Sequence, residues 1–187
     1  MAGTREDEKS HVALLRGVNV GGKHRLPMKD LVAIFEGAGC RDVRTYIQSG
    51  NVVFRATRAD ASRVPGRVAR AVADRLGFEA PVLLRTAAEL GDVAHGNPLL
   101  RSGADPGTLH VLFLADRPPR AKVAALDPSR SPPDAFVVLG REIYLRCPGG
   151  VARTRLTTGW ADSTLGTTST MRNWRTVLKL VELAGEA

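Results

Sequence analysis

Two strand-like runs, Val43–Ile47 and Asn51–Arg55, are separated only by Gln48-Ser49-Gly50. No helix fits in that gap. A parallel pair needs a crossover of a dozen or more residues, so these two strands form an antiparallel hairpin around a glycine-containing turn. This excludes a doubly wound parallel sheet for this part of the chain and organises the reading of what flanks it.

Upstream, His11–Arg16 is a short apolar run with polar flanks, a strand pattern. A glycine-rich loop follows. Pro27 suits a first helical turn, Leu31, Ile34, Phe35 and Ala38 recur at helical spacing, and Gly39 supplies the stop. Downstream of the hairpin, Val64, Val68, Val72 and Leu76 mark one face of a helix within 61–76. Pro65 is tolerable there only in the first turn, and Gly77 ends the helix. Val82–Arg85 is a last short strand. The order strand, helix, strand, strand, helix, strand is the ferredoxin-like arrangement, α+β with an antiparallel sheet and helices on one face.

The stretch from Thr86 to Pro106 holds a short helical segment near Ala87–Val93 and then a glycine- and proline-rich connection. The second half repeats the coarse order. Leu109–Ala115 is a strand, Pro118-Pro119 lead a short helix to Leu126, and 136–139 with 142–146 make a hairpin across Gly140-Arg141. A weak helix lies within 155–165 and a short strand near 167–170. Trp174, Val177, Leu178 and Val181 define an amphipathic C-terminal helix. The expected organisation is a disordered tail at 1–10, a ferredoxin-like domain at 11–86 and a second at 87–187. The similarity of the halves is one of topology, without a residue-level repeat.

The net charge is +8, and its placement is uneven: residues 11–85 hold 13 basic and 6 acidic groups. An anionic partner for the N-terminal half follows from that asymmetry. The abundance of arginine over lysine, with much alanine and glycine, is also what a GC-rich genome produces. No apolar run approaches membrane-spanning length, and the charged N-terminus lacks the apolar core of a secretory signal. Cys40 and Cys147 stand far apart without a CxxC pattern. Reduced thiols in a cytoplasmic protein are expected, with no membrane partner.

The functional lead is Leu14–Met28. Gly17, Gly21 and Gly22, with Asn19, stand among Arg16, Lys23, His24 and Arg25, and no acid lies between Arg16 and Lys29. Such a loop presents backbone N–H groups and cations to one anion. Gly17 to Lys23 also spells GxxxxGK, but His24 stands where a phosphate-binding P-loop needs serine or threonine for magnesium, and Arg25-Leu26-Pro27 delays the helix. In a ferredoxin-like sheet the first strand's exit and the hairpin turn share one end, so Arg16–Lys23 and Gln48–Asn51 should converge. Thr170-Met171-Arg172-Asn173-Trp174 is read as opening the last helix, with Thr170 or Asn173 as cap and Arg172 suited to an anion. The four histidines show no metal spacing, and there is no serine-nucleophile elbow or paired-acid motif. No metal or cofactor is implied.

Three motifs carry a resemblance. ALLRGVNVGGKHRLPM (13–28), DVRTYIQSGNVVF (42–54) and RNWRTVLKL (172–180) resemble the bacterial family catalogued as domain of unknown function 1697. Val18 stands where that pattern has isoleucine, and Met171 where it has a second threonine. The resemblance implies two ferredoxin-like α+β domains and no established activity. Its motifs add weight to Arg16, Asn19, Gly21, Gly22, Lys23, Ser49, Asn51, Arg172 and Asn173 as ligand-binding residues. The leading expectation is a small anionic or phosphorylated ligand at the basic glycine loop near a cleft between domains. The alternatives are a nucleic-acid-binding module, for which stacking aromatics are few, and a P-loop-like nucleotide hydrolase.

Overall fold

A computed structural model describes residues 8–22 and 24–185. In chain order the regular elements are β1 (Lys9–Leu15), α1 (Met28–Gly37), β2 (Arg41–Tyr46), β3 (Asn51–Ala56), α2 (Arg58–Ala61), α3 (Val64–Leu76), β4 (Val82–Thr86) and α4 (Ala87–His95). Then come α5 (Pro98–Arg101), β5 (Leu109–Leu114), α6 (Arg120–Ala124), β6 (Ala135–Leu139), β7 (Glu142–Arg146), α7 (Thr158–Leu165), β8 (Ser169–Asn173) and α8 (Trp174–Gly185). The strands form two four-stranded sheets, ordered β2-β3-β1-β4 and β6-β7-β5-β8. Every pairing in both is antiparallel. The α+β, ferredoxin-like reading therefore holds for each sheet.

The chain divides into two compact units, one reaching Gly91 and resuming at Leu180, the other spanning Asp92–Lys179. The divisions thus fall inside α4 and inside α8. Of the expected tail, Lys9 and Ser10 already belong to β1, while residues 1–7 lie outside the described residues.

In the first unit, Ala13, Leu15, Val52, Phe54, Val82 and Leu84 point to one side of the sheet. There they pack with Leu31, Ile34 and Phe35 of α1 and Val64, Val68 and Val72 of α3. The alternate residues Val12, Leu14, Val53 and Leu83 are buried too. Burial on both faces explains why β1 and β3 read as nearly unbroken apolar runs rather than as alternating ones. In the second unit, Leu112, Leu114, Ile143 and Leu145 pack with Val123, Leu126, Trp160, Ala161 and Leu165.

The helix limits follow local chemistry. Pro65 falls in the first turn of α3, whose missing N–H costs nothing there, and Gly77 closes the helix at φ 73°. Thr157 caps α7 by accepting from the Trp160 amide at 3.1 Å.

The two units agree in detail as well as in order. Leu15 N–H donates to Gly50 O and Leu114 N–H to Arg141 O, each at 2.8 Å. One residue on, Arg16 N–H donates to Pro81 O and Ala115 N–H to Thr168 O. In that common frame His11 matches His110, and Arg85 matches Arg172, since Val12 pairs with Arg85 and Val111 with Arg172. Both arginines are buried, and each donates from Nη1 to the carbonyl of the residue before it. Each is followed by a helix cap: Thr86 Oγ1 accepts from Glu89 N–H, and Asn173 Oδ1 from Thr176 N–H. The topological similarity expected from the sequence is accompanied by equivalent residues.

Candidate functional site

The β1–α1 connection is held by its own polar groups. Asn19 sits at φ 56°, a left-handed conformation that asparagine tolerates better than most residues. Its Oδ1 accepts from Leu26 N–H at 2.8 Å and its Nδ2 donates to Leu26 O at 2.9 Å. Asn19 N–H also donates to His24 O at 3.1 Å. His24 Nδ1 donates to Gly17 O at 3.1 Å, and its ring stacks on Phe78 with centroids 4.6 Å apart. Val18 and Leu26 are buried anchors beneath the loop. The loop is a braced structure in which Asn19 works as a clasp, with both ends of its amide engaged.

The hairpin turn meets this loop as the topology requires. A Cβ at Gly50 would lie 2.5 Å from Val18 Cγ2 and 2.7 Å from Leu15 Cβ, and Gly50 itself has φ 70°. Glycine is demanded here twice, by space and by conformation. Ser49 Oγ accepts from Asn51 Nδ2 at 2.7 Å, and the same amide donates to Tyr46 O. Ser49 and the fully buried Asn51 thus close the turn from within.

Between loop and turn lies an open depression of about 590 Å³, lined by Asn19, Gly22, Arg25, Leu26, Pro27, Met28, Lys29 and Gln48. Among the described residues no acid lines it. Gly21 and Gly22 are exposed, with positive φ. Helix α1 starts at its edge, and Pro27 at the N-cap provides no side-chain cap.

Of the residues singled out from the sequence, Asn19 and Gly22 line this depression, and Arg16, Gly21, Ser49 and Asn51 belong to the two segments that frame it. Lys23 lies outside the described residues. Arg25, Lys29 and Gln48 also line it, although they are not among the nine residues expected to bind the ligand. The signal for the first two was the acid-free run from Arg16 to Lys29.

Arg172 and Asn173 belong to the second unit, and Asn173 caps the last helix as the motif suggests, whereas Arg172 lies in a strand and not at the helix start. They are the final residues of β8, because the ladder with β5 continues through His110–Asn173. Arg172 Nη1 donates to Thr170 Oγ1 at 2.9 Å and to Met171 O at 2.8 Å. Burial lowers its guanidinium to about 10, so it remains charged at neutral pH. Asn173 caps α8, and Trp174 is buried. The thiols are unsuited to nucleophilic work: burial pushes Cys40 up to about 12 and Cys147 upward as well. Among the described residues no group of three or more His, Cys, Asp or Glu is placed to hold a metal, and no helix is long and apolar enough to cross a membrane. The antiparallel sheets give the nucleotide-hydrolase alternative no support, since a P-loop joins a strand to a helix in a parallel α/β sheet.

Two α+β units carrying a braced basic loop define the class of protein. The chain matches Protein of unknown function (DUF1697) over residues 9–144 and belongs to that family. The first two sequence motifs fall inside the match and the third outside it. The chain is also similar in fold to the conserved bacterial protein SP0830 from Streptococcus pneumoniae, with a TM-score of 0.69 and 20% identity over 95% of this chain and 99% of the other. No curated protein matches the sequence.

Proposed function

We propose that the β1–α1 loop binds a small anionic ligand, a phosphate or a phosphorylated compound, in the depression it shares with the β2–β3 turn. The observation that carries this reading is the length of the loop. The second unit joins the equivalent strand end to an equivalent helix with residues 115–119 alone, and the residue before α6 is Pro119 with φ −58° and ψ 140°. Helix α1 is likewise preceded by Pro27 with φ −58° and ψ 139°, yet the chain takes residues 16–27 to reach it. The fold does not need the additional residues. They bring Gly21, Gly22 and Arg25 to a depression whose described lining holds no acid, beside the start of α1, where N–H groups and the helix dipole favour negative charge and Asp30 in the first turn is the nearby acid. Arg16 and Arg25 supply charge, the glycines supply backbone donors, and Ser49 and Asn51 hold the turn in place.

Amide chemical shifts recorded while titrating pyrophosphate into the full chain test this. Shifts should concentrate at Gly21, Gly22, Arg25 and Lys29, and Arg25→Ala should weaken binding by about 1.5–3 kcal/mol, the range for hydrogen bonds to charged groups. Pyrophosphate affinity should fall only shallowly with salt; a single-stranded oligonucleotide that binds the chain more tightly, with a steep linear log–log salt dependence, would indicate nucleic acid instead. Absence of saturable shifts in the loop would end the reading.

A further inference from the structure

A second surface of the first unit lies on the outer side of its helix layer, and its lining shares no residue with the loop depression. Helices α1 and α3 leave a groove of about 430 Å³ between them. Its base is made of small and apolar residues, Ile34, Gly37, Ala38, Gly66 and Ala71, and its other lining residues are Arg67, Arg70, Arg75 and Asp74. Arg63, Arg67 and Arg70 follow one another at i, i+4 and i+7, so they form one stripe along α3. All four arginines are exposed. Arg67 is also anchored, donating from Nη1 to Ala38 O at 3.0 Å across the groove.

The fold does not call for this stripe. In the second unit the helix in the place of α3 is α7, TGWADSTL, which has no arginine.

We infer that the α1–α3 groove docks an acidic segment of another protein, one that carries an apolar side chain into the Gly37–Ala38–Gly66–Ala71 base while its carboxylates meet the arginine stripe. Three observations favour this occupant. The cations at the groove outnumber its single acid, which sets the sign of the partner. Among the described residues no aromatic ring lines it, so nucleobases have nothing there to stack on, whereas the apolar base suits an aliphatic anchor. A second copy of this chain carries the same net charge of +8, which disfavours it as the occupant.

Fluorescence anisotropy with the full chain tests the inference with three labelled probes of equal length: a glutamate-rich helical peptide carrying a leucine pair, polyglutamate, and a single-stranded oligonucleotide. The leucine-bearing peptide should bind at least tenfold more tightly than polyglutamate. Arg70→Glu combined with Arg75→Glu should weaken it at least tenfold. Gly66→Leu should do the same without altering charge, because it fills the groove at a position where an added Cβ meets nothing within 4 Å. Both variants should still unfold cooperatively, Gly66→Leu at or above the parent temperature because leucine favours a helix over glycine and the charge reversal somewhat below it because Arg75 lies in the last turn of α3. Equal binding of the two peptides, unchanged affinity in either variant, or tighter binding of the oligonucleotide would each overturn the proposal.

Discussion

The connections leaving β1 and β5 begin and end alike. Both start from a ladder in which the last strand residue donates to the facing turn, and both finish at a proline that starts a helix. Between those points the first unit holds a clasped loop with glycines, Asn19 and His24 at positive φ, while the second makes the shortest passage. The consequence reaches the opposite hairpin. Where the long loop seats Val18, the turn must be Gly50; where no such loop exists, the matching residue is Arg141. The longer loop thus adds Val18 to the two other features that call for glycine at position 50, its positive φ and the closeness of Leu15.

Substitution at this pair should break the symmetry most clearly. Gly50→Ala forces a side chain into the left-handed region and against Val18 and Leu15. It should cost about 2–4 kcal/mol in urea unfolding, combining the conformational and overpacking penalties. Arg141→Ala should stay within about 1 kcal/mol, in the range of ordinary surface changes. Comparable losses at the two positions would mean that Val18 does not enforce the glycine.

Next in size is the clasp. Asn19→Ala removes both bonds to Leu26 and leaves a buried backbone N–H and C=O to find other partners. A destabilisation of about 1–3 kcal/mol is expected, with faster amide exchange confined to residues 17–26. Unaltered exchange at Leu26 would show that the loop holds its shape without the clasp.

The helix caps that follow the buried arginines test the similarity of the units rather than their difference. Thr86→Ala and Asn173→Ala should each cost about 1 kcal/mol, the usual value for a lost cap. A loss at one position and none at the other would show that the equivalence of the frames does not extend to energetics.

The smallest effect concerns pH. Burial lowers the pKa of His11 and of His110, each partly offset by a bond from Nδ1 to the carbonyl two residues before. The folded chain resists protonation there more than the unfolded one. This stability is fully present above the ordinary histidine value of 6.5 and is lost as pH falls through the lower folded value. His110→Gln should flatten the decline in urea midpoint between neutral and mildly acidic pH, and His11→Gln should do the same in the other unit. A steeper decline in either variant would reverse the sign argued here.

Much of the fold was legible because it depends on short-range chemistry. A three-residue gap forbids a crossover, Gly39 and Gly77 stop helices, Pro65 admits only a first turn, and the valines of α3 recur at its period. The candidate site was legible as an acid-free, glycine-rich stretch, and the meeting of its two segments followed from the strand order. The roles within it were not legible. Asn19, Ser49 and Asn51 read as ligand groups in sequence, yet their hydrogen bonds brace the backbone, and that depends on which carbonyls and amides the fold brings within reach.

The same limit applies to the second unit. The spacing of apolar residues marked a helix after Asn173, but only pairing with β5 decided that Arg172 and Asn173 end a strand. The correspondence of His11 with His110 and of Arg85 with Arg172 was hidden because the intervening loops differ in length, so no fixed repeat links them along the chain. Local periodicity and turn chemistry act between neighbours and can be read in one dimension. Burial, hydrogen-bond partners and the demand for glycine at position 50 arise from residues far apart in sequence, and these the tertiary structure decided.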